Sequence, residues 1–175
     1  MKTIVPILAV GAMLILFACA KKKESVEVEP PAARSEIDRA SGRAASQEDP
    51  LEAERRRLEE LMNRIMSDDI YFEFDQAILT PKAKDLLTEV GDILKREPRF
   101  SILTEGHTDE RGTETYNMGL GMRRADAVVK FLVDYGAKNR MEKVSFGEEK
   151  PKATGGTEED YAKNRRAAFK VKINN

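Results

Sequence analysis

The sequence has few of the side chains from which metal sites and many enzyme active sites are built. It contains one cysteine, one histidine and no tryptophan in 175 residues, and aromatic residues make up 6%. An intrachain disulfide is therefore impossible, and neither a cysteine-rich zinc site nor a site of several imidazoles can form. Charge is balanced as well, because 30 basic residues face 31 acidic ones for a net charge of -1. The chain has no bulk attraction for nucleic acid, and we expect no nucleic-acid partner.

The longest apolar run of the sequence lies near its N-terminus, at residues 4–18. It follows the basic Lys2 and is shorter than the roughly 20 residues that a membrane-spanning helix needs. A basic start and a short apolar run are typical of a secretory signal peptide. The run ends in Ala18 and Cys19, and this junction resembles the bacterial lipobox, where cleavage precedes a cysteine that carries lipid. We therefore predict a lipoprotein signal peptide over residues 1–18.

The predicted cleavage makes Cys19 the lipid-bearing first residue of the mature chain. Ala20 stands where enteric lipoproteins retained in the inner membrane carry an aspartate, so the resemblance implies an outer-membrane anchor facing the periplasm. A diacylglycerol with a further acyl chain is sufficient for stable anchoring. The rest of the segment 19–50 is rich in charge and proline and has few large apolar residues. We predict that it is a disordered tether.

A change of pattern after Pro50 indicates an amphipathic helix over residues 51–67. Leu58, Leu61 and Ile65 recur at helical spacing, with charged residues between them. Two heptads are too few to predict a coiled coil. Packing of this helix on its own domain is therefore favoured over a dimer seam, and its dimerisation stays open.

The remaining residues, 69–175, are predicted to form one domain. Alternating apolar residues predict strands over residues 70–74 and 100–106. Thr80 followed by a proline is typical of a helix start, and a long helix is predicted over residues 116–135. The predicted order is β-α-β-α-β-β, with a short helix before the last strand. Such an order defines an α/β (α+β) sandwich with its helices packed on one mixed sheet.

The most informative stretch begins with the motif GHTDERGT and continues into the long helix. Asp109 lies in the loop after the second predicted strand, and Arg124 lies on the helix that follows. Asn117 and Arg124 are on one helical face, with Leu120 between them. An aspartate can accept hydrogen bonds from an ammonium and an arginine can donate to a carboxylate, each for roughly 1.5–3 kcal/mol. Alone, Asp109 would be interpreted as a helix cap and Arg124 as part of a surface ion pair, whereas together in this stretch they are compatible with a site for a ligand that carries both charges.

Backbone amides at Gly112 and Thr113, near the predicted helix start, suit a carboxylate as well. With the motifs YFEFD, GHTDERGT and AKNRRA, residues 71–167 resemble the OmpA-like peptidoglycan-binding domain. The resemblance implies that Asp109 and Arg124 are the main ligand-binding residues. It also implies flanking contacts from Asp75, Thr108, Gly112, Thr113, Asn117 and Leu120.

The resemblance also implies a function. Members of this family bind peptidoglycan non-covalently through the diaminopimelate of its stem peptide. For a lipoprotein, the resemblance implies a tether between outer membrane and cell wall, within a Tol–Pal system that maintains the envelope and supports cell division. The periplasmic proteins TolB and TolA are the implied partners. We expect Asp109 and Arg124 to lie outside the core, so that replacing either leaves the domain folded.

An enzymatic alternative uses two carboxylates, Glu105 and Asp109, to hydrolyse peptidoglycan. Two acidic residues alone are a weak indication of a hydrolase, and a non-catalytic binding protein is the preferred interpretation. His107 has no second histidine or available cysteine with which to complete a typical catalytic zinc shell, so a structural role is favoured. We expect neither a metal nor another cofactor.

Overall fold

The computed structural model describes residues 49–174, which contain four helices and one four-stranded sheet. The helices are α1 (Pro50–Met66), α2 (Pro81–Arg96), α3 (Glu114–Asp134) and α4 (Glu158–Asn164). The strands are β1 (Ile70–Tyr71), β2 (Phe100–His107), β3 (Arg140–Gly147) and β4 (Arg166–Ile173). The predicted signal peptide, the lipidated Cys19 and nearly all of the predicted tether lie outside the described residues.

The sheet is mixed, with the strand order β1-β4-β2-β3. Strands β2 and β3 are parallel, and α3 forms the crossover between them. Strand β4 lies between β1 and β2 and is antiparallel to both. The predicted α/β sandwich with a mixed sheet is therefore confirmed, with α1 preceding it along the chain.

The hydrophobic core lies between one face of the sheet and helices α1, α2 and α3. Burial alternates along β2 and β4, as expected for a sheet with one covered face. The opposite face carries exposed Lys170 and Lys172. The buried cluster includes Leu58 and Ile65 from α1, Leu87 and Leu94 from α2, Val128 and Leu132 from α3, Phe100 and Ile102 from β2, and Phe169 and Val171 from β4.

Helix α1 packs against the domain that follows it. Leu58 and Ile65 are buried in the common core. At the N-terminal half of the helix, Arg57 pairs with Glu97 at 2.8 Å, and Glu54 accepts from Arg99 at 2.7 Å. Within residues 49–174, no helix is both long and apolar enough to cross a bilayer.

The first strand is shorter than predicted, and this correction matters for the site. Only Ile70–Tyr71 pairs as β1, and the Phe72 amide adds one further bond to the Arg165 carbonyl at 3.0 Å. The chain then turns, with Asp75 at a φ of 56° in the left-handed region. Phe74, which the alternation placed in the core, is 53% exposed. Because of this turn, Phe74 and Asp75 lie at the surface and not in the sheet.

Two glycines bring α3 into direct contact with the sheet. A Cβ on Gly106 of β2 would collide with the backbone carbonyl of Gly121 on α3. A Cβ on Gly121 would in turn collide with the hydroxyl of Ser145 on β3. Because neither residue has a side chain, the helix lies on the strand without a gap. This close approach places Arg124, one helical turn later, beneath the loop that follows β2.

Candidate ligand-binding site

A cavity of about 190 Å³ opens at the end of β2, beside the turn after β1 and the start of α3. Its walls come from three segments that are distant in sequence. Of the predicted ligand-binding residues, the cavity is lined by Asp75, Thr108, Asp109, Gly112, Leu120 and Arg124. Phe74, Arg111 and Tyr116 complete its lining. The structure therefore brings most of the predicted site residues together around one space.

Thr113 and Asn117 were predicted to belong to the same site, but neither lines the cavity. Thr113 is the N-cap of α3, where its hydroxyl accepts from the Tyr116 amide at 3.2 Å. Asn117 is buried and donates to Glu148 at 2.5 Å and to the Arg111 carbonyl at 3.3 Å. Both residues fix the loop before α3 instead of facing the cavity.

The Asp109 carboxylate is buried between two arginines, which corrects the expectation that Asp109 lies outside the core. Its Oδ2 accepts from Arg111 at 2.7 Å and from Arg165 at 3.3 Å, and its Oδ1 accepts from the Arg111 amide at 3.2 Å. Burial raises the pKa of this carboxyl, but the hydrogen bonds from Arg111 and Arg165 outweigh it and hold the pKa below its usual value. Asp109 is therefore ionised at neutral pH. Within residues 49–174, Oδ1 accepts from the Arg111 amide, and its second lone pair suits a ligand cation.

Arg124 is a fully buried residue, which corrects the expectation that it lies outside the core. Its guanidinium donates to the carbonyls of Gln76 at 2.8 Å, His107 at 2.8 Å and Glu73 at 3.2 Å. Burial lowers its pKa to about 10, so the side chain stays cationic at neutral pH. Among residues 49–174, no carboxylate forms a salt bridge with it. Arg124 thus joins the turn after β1 to the end of β2 and forms the cavity floor.

Three lining residues were not predicted. Arg111 contacts two rings, with its guanidinium carbon 4.0 Å from the centre of Phe74 and 4.7 Å from that of Tyr161. Tyr116 donates its hydroxyl to the Asp75 carboxylate across the cavity. Arg111 and Tyr116 lie inside the motif region that the sequence singled out, and that position was the available signal. Phe74 was wrongly assigned to the buried face of the first strand, because its position continues the alternation of apolar residues there.

A buried hydroxyl adds a polar group to the cavity. Thr108 is 2% exposed, and its Oγ1 has no hydrogen-bond partner within residues 49–174. A buried polar atom without a partner is costly, and a polar ligand in the cavity could offset that cost. Together with Asp109 and Arg124, this hydroxyl gives the cavity an anion, a cation and a neutral polar group.

The structure gives no support to a metal site or to a carboxylate pair at this position. His107 is buried against Phe146, with 5.6 Å between ring centres, and burial lowers its pKa to about 4. No group of three or more potential metal ligands exists in the described part of the chain. Glu105 alternates with buried Thr104 and Gly106 along β2, which directs it to the other sheet face. It does not line the cavity that Asp109 lines.

Within residues 49–174, the fold and the polar cavity together define a small α/β domain with a charged cavity at the end of strand β2. A model of the OmpA family matches residues 71–165, which is more than half of the chain. The chain therefore belongs to the OmpA family, as its motifs indicated.

Relatives and solved structures agree with this assignment. The peptidoglycan-associated lipoprotein of Pseudomonas aeruginosa is 48% identical over 101 residues, which are 57% of this chain and 60% of that protein. The protein of the same name from Brucella melitensis is 41% identical over 103 residues, or 58% of this chain and 61% of that protein. The chain thus spans about three fifths of the length of these relatives.

Among solved structures, the peptidoglycan-associated lipoprotein of Burkholderia pseudomallei is 42% identical, with a TM-score of 0.58. That match covers 59% of this chain and 89% of that one. The C-terminal domain of Helicobacter pylori MotB is 24% identical with a TM-score of 0.57, over 61% of this chain and 85% of that one. At that identity, the second likeness shows a shared fold only.

Proposed function

We propose that this chain is a non-catalytic lipoprotein that binds peptidoglycan through the diaminopimelate of the stem peptide. Anchored in the outer membrane by lipid on Cys19, it would tether that membrane to the cell wall. Its proposed setting is a Tol–Pal system, with TolB and TolA as partners in envelope integrity and cell division. Membership of the OmpA family and the relatives named peptidoglycan-associated lipoprotein support this proposal.

The observation that carries the proposal is the content of the cavity. Asp109 supplies an ionised carboxylate for an ammonium, while Arg124 and the Thr108 hydroxyl supply donors near it. The cavity, at about 190 Å³, is smaller than the roughly 300–1,000 Å³ that drug-sized ligands occupy. It therefore suits the zwitterionic end of one amino acid rather than a disaccharide. The free end of diaminopimelate is such a group.

Retention on cell-wall sacculi tests the proposal. The purified chain in detergent should sediment with sacculi that contain diaminopimelate, and free meso-diaminopimelate should release it. Sacculi built with lysine at the same stem position serve as the matched control and should retain much less protein. Equal retention on both, or no release by the free amino acid, would place the binding elsewhere. A zymogram on the same sacculi should show no clearing, whereas clearing would favour the hydrolase.

Replacing Cys19 with alanine should prevent stable membrane attachment, because the predicted acyl chains are attached to its sulfur. We expect an uncleaved precursor or a form released into the periplasm. Mass spectrometry of the unmutated N-terminus gives the direct measurement, with an expected mass increment for the attached lipid. A cleaved chain with an unmodified Cys19 would contradict the anchoring part of the proposal without affecting its peptidoglycan part.

A further inference from the structure

We infer that a basic groove on the uncovered face of the sheet binds the phosphate groups of anionic lipids in the membrane to which the chain is anchored. The inference rests on the lipid anchor of the proposed function and not on its binding of peptidoglycan. The groove has a volume of about 340 Å³. Its walls include Ser101, Leu103, Arg140, Glu142, Lys170 and Lys172.

The register of the strands brings cations to both sides of a serine hydroxyl. Ser101 of β2 pairs with Arg140 of β3 on one side and with Lys172 of β4 on the other. Paired residues lie on the same face of a sheet, and neighbouring strands are about 4.8 Å apart. Lys170 is two residues from Lys172 and therefore points from the same face. A guanidinium, a hydroxyl and two ammonium groups are thus placed to donate to one phosphate.

The cations of the groove are only partly neutralised by their neighbours. Arg140 pairs with Glu142 at 2.7 Å, but the two side chains are 74% and 56% exposed, and such a surface pair is weak. Lys170 and Lys172 are exposed, and within residues 49–174 neither forms a salt bridge. Three cations against one carboxylate give the groove a net charge of +2. An anion is therefore the favoured occupant.

The groove lies at the pole of the domain where the chain enters it. The carbonyl of Arg99, which is two residues before Ser101, accepts from the Asn174 amide at 2.8 Å, and its guanidinium donates to Glu54 of α1 at 2.7 Å. Helix α1 therefore begins at this pole. Because the proposed lipid on Cys19 precedes α1 in the chain, the anchor acts on this pole and keeps a membrane surface at high effective concentration beside the groove.

The opposite pole carries the other sign of charge. The ligand-binding cavity lies at the far end of β2, roughly 20 Å from Ser101 at 3.3 Å per residue. Exposed carboxylates in the segments at that end are Glu110, Glu149, Glu158 and Glu159. Arg96 and Lys138 add exposed cations at the pole of the groove. An anionic membrane would attract the basic pole and repel the acidic one, which directs the cavity away from the membrane.

The test measures lysine accessibility on the lipidated chain, reconstituted through its own acyl chains. Vesicles of phosphatidylcholine are compared with vesicles that also contain phosphatidylglycerol. Neither lipid has an amine, so acetylation by an N-hydroxysuccinimide ester, followed by mass spectrometry, reports only on the protein. At low salt, Lys170 and Lys172 should react about fivefold more slowly on the anionic vesicles. Lys82 and Lys84, exposed at the start of α2, are internal controls and should change by less than about twofold.

Two variants and a change of salt connect this protection to the groove. Arg140→Gln removes the guanidinium beside Ser101 and leaves Glu142 without its cation, so the protection of Lys172 should fall to about twofold or less. Arg123→Gln removes an exposed arginine of α3 outside the groove, and this matched control should keep the full protection. About 0.5 M NaCl should remove the protection from all chains. Thermal unfolding verifies that both variants are folded.

Three results would overturn the inference. They are equal rates on the two kinds of vesicle, equal slowing of the control lysines, and full protection after Arg140→Gln. Inorganic phosphate and poly-L-glutamate are also tested on the chain in detergent. If either protects Lys170 and Lys172 while anionic vesicles do not, the groove binds a free anion or an acidic protein segment, and the lipid assignment is wrong.

Failure of the proposed function is distinguishable from these results. A chain that floats with neither kind of vesicle has no lipid anchor, so that part of the proposed function is wrong and the inference falls with it. Sedimentation with sacculi, measured on the same preparation, tests the binding of peptidoglycan separately. Retention on sacculi without protection of the groove would leave the proposed function standing and refute the inference alone.

Discussion

Replacing Arg124 with glutamine is expected to lower the free energy of unfolding by roughly 3 kcal/mol or more. The substitution removes the donors to the carbonyls of Glu73, Gln76 and His107, at a position with no solvent access. Glutamine can satisfy one of the three carbonyls, and each buried acceptor left without a partner costs roughly 1–3 kcal/mol. For a domain of this size, such a loss lowers the thermal midpoint by about 10 °C.

Arg123→Gln is the matched control for this prediction. Arg123 is the preceding residue on the same helix, but it is exposed and its guanidinium lies 5.6 Å from the centre of the Tyr116 ring. Its replacement should change stability by about 0.5 kcal/mol or less. Circular dichroism during heating measures both midpoints. If Arg124→Gln unfolds at the same temperature as Arg123→Gln, the three carbonyl bonds do not stabilise the domain as the structure indicates.

The burial of Arg124 is a feature that the sequence did not predict. Helical spacing correctly placed Arg124 on the same face as Leu120, and this face lies against the cavity. Spacing gives the direction of a side chain but not its depth. The depth depends on the turn at Glu73 and Gln76, about fifty residues earlier in the chain, which covers the guanidinium. No pattern within the sequence of α3 could indicate that a distant turn covers this side chain.

The fold itself was predictable because its signals are local. Alternation in β2 and β4 marks the covered sheet face, and threonine N-caps mark the starts of α2 and α4. The exception is β1, where alternation continued to Phe74 although pairing ends at Tyr71. The positive φ of Asp75 ends the extended segment. Aspartate tolerates this conformation but also occurs in many others, so its presence in the sequence did not predict the turn.

The composition of the cavity was predictable in part for a similar reason. The loop after β2 lies within one motif, so Thr108, Asp109 and Gly112 could be placed together from the sequence. The placement of Arg111 depends on contacts with Phe74 and Tyr161, which come from distant segments. These contacts follow from tertiary packing, which the spacing of residues in the sequence does not indicate.

Asp109→Asn should weaken binding of the purified chain to diaminopimelate-containing sacculi by at least about 30-fold. The substitution removes one of the two carboxylates that line the cavity among residues 49–174, and the other, Asp75, already accepts from the Tyr116 hydroxyl. Loss of a charge-assisted contact costs roughly 2–3 kcal/mol, which corresponds to about 30- to 150-fold in affinity. The cations of Arg111 and Arg165 would also lose a counter-charge and repel an incoming ammonium.

Glu158→Gln provides a matched control, because Glu158 pairs with the same two arginines but does not line the cavity. It accepts from Arg111 at 3.1 Å and from Arg165 at 2.8 Å, and its side chain is 63% exposed. Such an exposed carboxylate contributes about 1 kcal/mol or less to either pair, so Glu158→Gln should bind sacculi within about threefold of the unmutated chain.

Binding is measured as the protein concentration that gives half-maximal retention, on variants that unfold at similar temperatures. If Asp109→Asn and Glu158→Gln weaken binding equally, the two carboxylates act only as counter-charges to the arginines, and Asp109 has no specific contact with the ligand. Full binding by Asp109→Asn would mean that the ammonium of the ligand lies outside this cavity.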